Sequence, residues 1–315
     1  MKTNKQVVIC GTDFSEPAAQ AAHVAAAIAR RFGAKLVLLH AAEHAGVIAE
    51  PPEVGQSFIT AQSEELHEAA EALRSLGTDV EEAFAFGPAD KALVEMASER
   101  QARMIVTAAV GRTRRLLMGS IAVRTAETAT VPTLVVRQGR RLIQWTEGTH
   151  KLHIVMGDDF SATGESALRF IADLAKLGPC EITVAHVDWP PEERRKYNLS
   201  GPVSLTENDL EVQRALEEKL AERTRAILGR RKCAMRVVPC WGRTDGYLLS
   251  LASESGADLL VLGTHQRHGL ERFRLGSVSR AVLNDALVSV AVVPVTKKPA
   301  AGNKRRVRTR VVAEV

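Results

Sequence analysis

The chain is written twice. "VVICGTDFSEPA" at Val7 to Ala18 returns as "IVMGDDFSATGE" at Ile154 to Glu165. In both, a β-branched run ends in Gly, one residue, Asp, Phe, Ser. "AKLVLLHAAEH" from Ala34 returns as "CEITVAHVDWP" from Cys180, and "FGPADKAL" from Phe86 as "WGRTDGYL" from Trp241. "ARMIVTAA" from Ala102 returns as "ADLLVLGT" from Ala257. "LLMGSIAVRTAETATVPTLVVR" from Leu116 returns as "FRLGSVSRAVLNDALVSVAVVP" from Phe273. Landmarks that recur in one order mark a duplicated domain. The 315 residues agree with two domains, at roughly 150 residues each.

Each copy alternates strand and helix. In the first, apolar runs fall near 6–10, 35–40, 79–86, 103–108 and 133–137. Ala-rich segments of helical periodicity lie between them at 15–32, 57–76, 88–100 and 119–129. Ser15 followed by Pro17 marks a helix entry, a hydroxyl acceptor and then a ring that suits the first turn. Gly33 and Gly77 sit where helices should stop. In the second copy the strands fall near 152–157, 181–187, 233–240, 258–263 and 290–295. Strands joined by long crossovers pair in parallel, which predicts an α/β fold of two tandem Rossmann-like or flavodoxin-like domains. Each has a parallel sheet with helices on both faces. The expected division is a first domain at 1–138, a linker at 139–151, a second domain at 152–296 and a disordered basic tail at 297–315.

No apolar run reaches the ~18 residues of a membrane span, and the N-terminal "MKTNKQVVICGTDFS" reads as a first strand, not a signal peptide. Cys10, Cys180, Cys233 and Cys240 form no CxxC pair. Cys233 and Cys240 lie near the two ends of one strand, too far apart for a disulfide. Cys10 sits in an apolar run as a buried thiol, and together these point to a reducing cytoplasm. The formal charge of +5 is carried by the tail: without the seven basic residues between Lys297 and Arg310, 35 basic residues face 37 acidic ones. Nucleic-acid or anionic-lipid contact is therefore a question for the tail alone, and a solubilising terminus is the simpler reading of it.

Ligands of open parallel sheets bind outside the carboxyl ends of the strands, where strand order reverses. The repeated landmarks fall there. Asp13 and Asp159 end the first strand, His40-Ala41 and His186-Val187 end the second, and Ala108 and Gly263 end the fourth. Gly119-Ser120 and Gly276-Ser277 open the last helix. Unpaired N–H groups and the positive end of the helix dipole favour an anion at such a start. Gly276 lets the backbone approach a phosphate, and Ser277 adds a hydroxyl donor.

On "GTDFS", "LLH", "GTH…GS" and the closing "VPTLVV", the chain resembles the universal stress protein family in its tandem two-domain form, over everything but the linker and tail. The resemblance implies a five-stranded parallel sheet in order 3-2-1-4-5 and pairing of the domains, often through their last strands. It implies ATP bound through a loop of Gly, two residues, Gly, nine residues, Gly, Ser or Thr; members without the loop bind no nucleotide. In the second copy Gly263, Gly276 and Ser277 match at family spacing, while Gln266 replaces the middle glycine. Asp159 matches the acidic residue expected near ribose and base, and Gly157 and Val187 match positions lining the adenine. In the first copy Asp13 and Ala41 match likewise, and Gly111, Gly119 and Ser120 form a loop two residues short. Length directs every backbone N–H, and Gln266 brings an amide donor among Arg267, His268, Arg272 and Arg274. The second domain is therefore the expected ATP site.

Several other signals have plain readings. "HAAEH" from His40 matches H-x-x-E-H, but it starts at a strand end, so a histidine bonded to backbone is expected in place of zinc chemistry. His265 and His268 read as solvated. Asp158-Asp159 could help hold Mg²⁺ on a nucleotide, against the simpler reading of Asp158 as an exposed turn residue. Arg112, Arg114 and Arg115 either clamp an anion beside Gly119 or form a basic surface loop. With no nucleophile–base–acid set and no Walker A sequence, the expectation is a stress-response protein that binds adenine nucleotide and is not a dedicated enzyme. A nucleotide-free dimerising scaffold for a protein partner and a weak ATP hydrolase stay open as alternatives. Exposed closing strands would suit self-association.

Overall fold

The apolar runs become strands because both faces of each sheet are covered, so neither face needs polar residues. The structure, a computed structural model, describes residues 6–42, 52–111, 119–196, 210–264 and 276–295. Contacts divide the chain into two units with the boundary between Thr146 and Glu147.

The first unit runs β1 (Val7–Thr12), α1 (Glu16–Phe32), β2 (Lys35–Ala42), α2 (Pro52–Ser75), β3 (Val80–Phe86), α3 (Ala89–Glu99), β4 (Met104–Ala108), α4 (Ser120–Thr128), β5 (Thr133–Val136) and α5 (Gly139–Thr146). Its strands lie in the order β3-β2-β1-β4-β5, and the described ladders are parallel. The register places Thr12 beside His40 and Cys10 beside Val106. Helix α1 starts as its sequence requires: the Ser15 hydroxyl accepts from the Ala18 N–H at 3.3 Å and Pro17 fills the first turn. It stops at Gly33, in the left-handed region at φ 63°. One sheet face packs on α1; the other packs Ile9, Val37, Leu39 and Ile105 against Leu93 and Met96 of α3.

The second unit runs β6 (Leu152–Gly157), α6 (Ala162–Leu174), β7 (Cys180–Asp188), α7 (Pro190–Lys196), α8 (Leu210–Leu228), β8 (Cys233–Pro239), α9 (Thr244–Glu254), β9 (Leu259–Thr264), α10 (Ser277–Asp285) and β10 (Ser289–Pro294). Its strand order is β8-β7-β6-β9-β10, again parallel. Both units thus have the doubly wound order 3-2-1-4-5 expected of them. Among the described residues, no helix is long and apolar enough to cross a membrane.

Three local features depart from the sequence expectation. Helix α2 begins at Pro52, five residues before the expected 57, because proline at a helix start gives up no needed hydrogen bond. The short helix α7 was not anticipated. Within the segment expected as a linker, residues 139–146 form α5, which lies on α1. A Cβ on Gly139 would stand 3.3 Å from Val24 Cγ2, and Leu142 and Trp145 are buried. The basic tail lies outside the described residues.

All four cysteines are free. Cys10, in the centre of the first sheet, is fully buried, and burial pushes its thiol up to about 12. The reactive species is the thiolate, so Cys10 should resist a disulfide reagent at neutral pH until the first unit unfolds globally. Mass spectrometry after timed labelling, with and without denaturant, checks this; rapid native labelling of Cys10 would show the sheet opening locally.

Candidate functional site

In each unit the chain leaves the central strand through the same tight turn. Thr12 Oγ1 accepts from the Phe14 N–H at 3.1 Å, and in the second unit Asp158 Oδ1 accepts from the Phe160 N–H at 2.8 Å. Asp13 Oδ1 accepts from both the N–H and the hydroxyl of Ser15, and Asp159 Oδ1 accepts from both groups of Ser161. The price of this turn is a phenylalanine in the left-handed region, at φ 61° for Phe14 and 59° for Phe160. For a bulky residue that costs roughly 1–3 kcal/mol. His40 on β2 and His186 on β7 close the turn from the neighbouring strand. Their Nδ1 atoms lie 2.9 Å from the Thr12 carbonyl and 2.7 Å from the Asp158 carbonyl. His40 is thus the backbone-bonded strand-end histidine that its position suggested. Among the described residues, no group of three His, Cys, Asp or Glu could hold a metal ion.

The turns open onto crevices at the carboxyl ends of the strands. The first unit has a cavity of about 460 Å³ lined by, among others, Asp13, Ala41, Thr107, Ala108, Gly111 and the Gly119-Ser120 helix start. The second has a cavity of about 210 Å³ lined by Gly157, Asp159, Val187, Leu262, Gly263 and the Gly276-Ser277 start. The candidate residues of each copy therefore lie around one cavity, except Gln266, which lies outside the described residues. So do Arg112, Arg114, Arg115, His265, Arg267, His268, Arg272 and Arg274.

The side chains at matching positions differ between the two cavities. Val187, Thr244 and Leu262 line the second cavity where Ala41, Ala89 and Thr107 line the first. Leu262 Cδ2 stands 3.0 Å from where a Cβ on Gly157 would be, so it fills the space in front of the central strand. Three pairs run the other way, with Ala185 opposite Leu39, Gly263 opposite Ala108 and Val278 opposite Ile121.

Helices α4 and α10 begin at the cavities with glycine N-caps, which offer no side chain to their first N–H groups. Such a start favours an anion. The glycines there have separate causes. A Cβ on Gly119 would press on the Ala109 carbonyl oxygen at 3.3 Å, and one on Gly111 would meet Asp13 Oδ2 at 2.6 Å. A Cβ on Gly263 would collide with the Thr163 backbone at 2.5 Å, so this glycine is fixed by packing of the α6 start on β9. Gly276 has an ordinary φ of −56°, and a Cβ there meets nothing within 4 Å.

The sequence profile of the Universal stress protein family matches residues 5–137 and again 152–294. The chain belongs to the universal stress protein family. It is 30% identical over 204 residues to universal stress protein Mb2028c of Mycobacterium bovis, 64% of either chain. It is 25% identical over 150 residues to universal stress protein MJ0577 of Methanocaldococcus jannaschii, 44% of this chain and 93% of that one. A universal stress protein from Archaeoglobus fulgidus superposes with a TM-score of 0.67 at 16% identity, covering 94% of this chain and all of that one. At that identity the superposition speaks for the fold alone.

Within this tandem universal stress protein, Asp158 corrects its sequence reading. It is not an exposed turn residue. Its side chain is fully buried, and Arg223 of α8 donates to it from Nε at 3.0 Å while also bonding the Ser161 carbonyl. Gly164 makes room for it: a Cβ there would stand 2.3 Å from Asp158 Oδ1. A carboxylate so committed is poorly placed to serve Mg²⁺. Burial pushes its pKa above the usual aspartate value, and the Arg223 charge and the Phe160 N–H pull it back. Sequence reasoning missed Arg223, Thr107, Leu262 and Thr244. For Thr244 a signal existed, since it stands in the repeated "WGRTDGYL" segment.

Arg223→Met leaves the buried carboxylate without its partner and raises its folded pKa further. Below the unfolded value, near ~3.9, both states hold the proton. As pH rises through that value the folded state lags in ionising, and stability is lost. The variant should therefore lose about 3 kcal/mol in the second unit at neutral pH, with the deficit shrinking as pH falls towards the unfolded value. Urea unfolding of both proteins across that range checks this; a deficit independent of pH would contradict it.

Proposed function

We propose that this universal stress protein binds an adenine nucleotide, ATP, in its first unit, and acts by binding and signalling without rapid turnover. The observation that carries the reading is the cavity of about 460 Å³ in the first unit. It lies within the range of small-molecule sites, roughly 300–1,000 Å³, whereas the second cavity falls short of it. Loop spacing favours the second unit, but a loop places only phosphates. The base and ribose need the space in front of β1, where Ala41, Ala89 and Thr107 are small and Val187, Thr244 and Leu262 are not. In this reading the uncapped start of α4 takes the phosphates, Asp13 stands near the ribose, and Ala41 and Gly11 line the base.

Isothermal titration with ATP–Mg²⁺ tests the reading. About one nucleotide per chain is expected. The Ala41→Val, Thr107→Leu double variant gives the first cavity the second one's side chains and should weaken binding at least about tenfold, ~1.4 kcal/mol. The Val187→Ala, Leu262→Thr double variant should leave that binding intact. Binding lost through the second pair and kept through the first would move the site to the second unit. No heat and no thermal shift in the wild type would sink nucleotide binding and favour the nucleotide-free scaffold.

A further inference from the structure

The duplicated histidines share one further property. His40 and His186 are each more than nine-tenths buried, and in both the second ring nitrogen, Nε2, has no hydrogen-bond partner among the described residues. A carbonyl can only accept, so each Nδ1 carries a proton that it donates there. A phenylalanine ring would fill the same space without an unmet polar atom. Leaving one in each half is unfavourable, so the Nδ1–H must be what the site requires.

What that N–H holds is the same in both units. Its acceptor is the carbonyl of the residue just before the site aspartate, Thr12 before Asp13 and Asp158 before Asp159. The imidazole also lies against the left-handed phenylalanine that follows, with ring centroids 4.4 Å apart in each unit. The side chain of the same Thr12 or Asp158 fixes the phenylalanine N–H from the other side. The peptide before the aspartate is thus held through its oxygen by the neighbouring strand, at the end of the β1–β2 and β6–β7 ladders.

We infer that His40 and His186 are positioning residues, each orienting the site aspartate beside it through its Nδ1–H bond to the preceding carbonyl. His40 also borders the first cavity and His186 does not border the second, so what the two share is the hold on the turn, with Asp13 and Asp159 lining the cavities. For the first unit the inference rests on the nucleotide reading only where affinity is measured.

Two variants separate the N–H from the ring. His40→Phe keeps a ring against Phe14 and removes the donor; His40→Asn keeps an N–H near the Nδ1 position and removes the ring. Amide hydrogen exchange at Ser15, whose N–H bonds Asp13 Oδ1 at 3.1 Å, reads the turn without any ligand. Titration with ATP–Mg²⁺ reads the site. His40→Phe should speed exchange at Ser15 and weaken ATP, each by about tenfold, and His40→Asn should stay within about threefold of wild type. Wild-type behaviour of His40→Phe, or equal damage in His40→Asn, would overturn the inference and make the ring simple packing. Failure of the wild type to bind ATP would count against the proposed function, with exchange at Ser15 still deciding the role of His40. Should His40→Phe not fold, His186→Phe and His186→Asn repeat the exchange test at Ser161; if neither phenylalanine variant folds, the inference is overturned.

Discussion

Each unit depends on its first strand lying in the middle of its sheet. Because β1 pairs with β2 on one side and β4 on the other, and β6 with β7 and β9, the crossovers leave in opposite directions. A crevice must then open at the carboxyl end of that strand. The turn out of the strand is where the chain is held hardest. Thr12 or Asp158, the site aspartate, a left-handed phenylalanine and the helix-capping serine are fixed by side-chain acceptors from within the turn and by a histidine from the next strand. The crevice itself is a product of topology, and the turn gives it a fixed carboxylate.

Duplication kept the backbone of this arrangement and let the side chains diverge. The turn geometry agrees between the units to a few degrees at the phenylalanine. The cavities do not agree. The second is the smaller, with larger residues at three lining positions, and its Asp158 is bound to Arg223 beneath the turn. The first unit, with Thr12 in place of Asp158, holds the same phenylalanine N–H with a hydroxyl and needs no buried charge. Strand order is therefore common to the two units, and side chains on β2, α3 and β4 and at the matching positions of the second unit set them apart.

Most of the fold was legible because the signals are local. A β-branched run ending at Gly11 or Gly157, Ser15 with Pro17, and glycines at helix ends each specify their own neighbourhood. Some of the residues around each cavity were legible too, since topology brings strand ends together regardless of detail. Three things were not. Helix α5 is a short polar segment whose Leu142 and Trp145 acquire meaning only once α1 is there to receive them. Asp158 read as a surface residue because its partner, Arg223, is 65 positions away in the chain. Cavity size could not be read from any motif, because it is set jointly by β7, α9 and β9, or by their counterparts in the first unit. The glycines show the same limit: Gly263 fits the phosphate-loop spacing, yet its lack of a side chain is explained by Thr163 alone.

The central claim is that side-chain size in front of the first strand, and not loop spacing, selects the unit that holds the nucleotide. A crystal structure of the full chain grown with a non-hydrolysable ATP analogue and Mg²⁺ tests it most directly. The account predicts adenine density between Ala41 and Thr107, with phosphates at the start of α4. Density against Val187 and Leu262, with the first cavity empty, would contradict it.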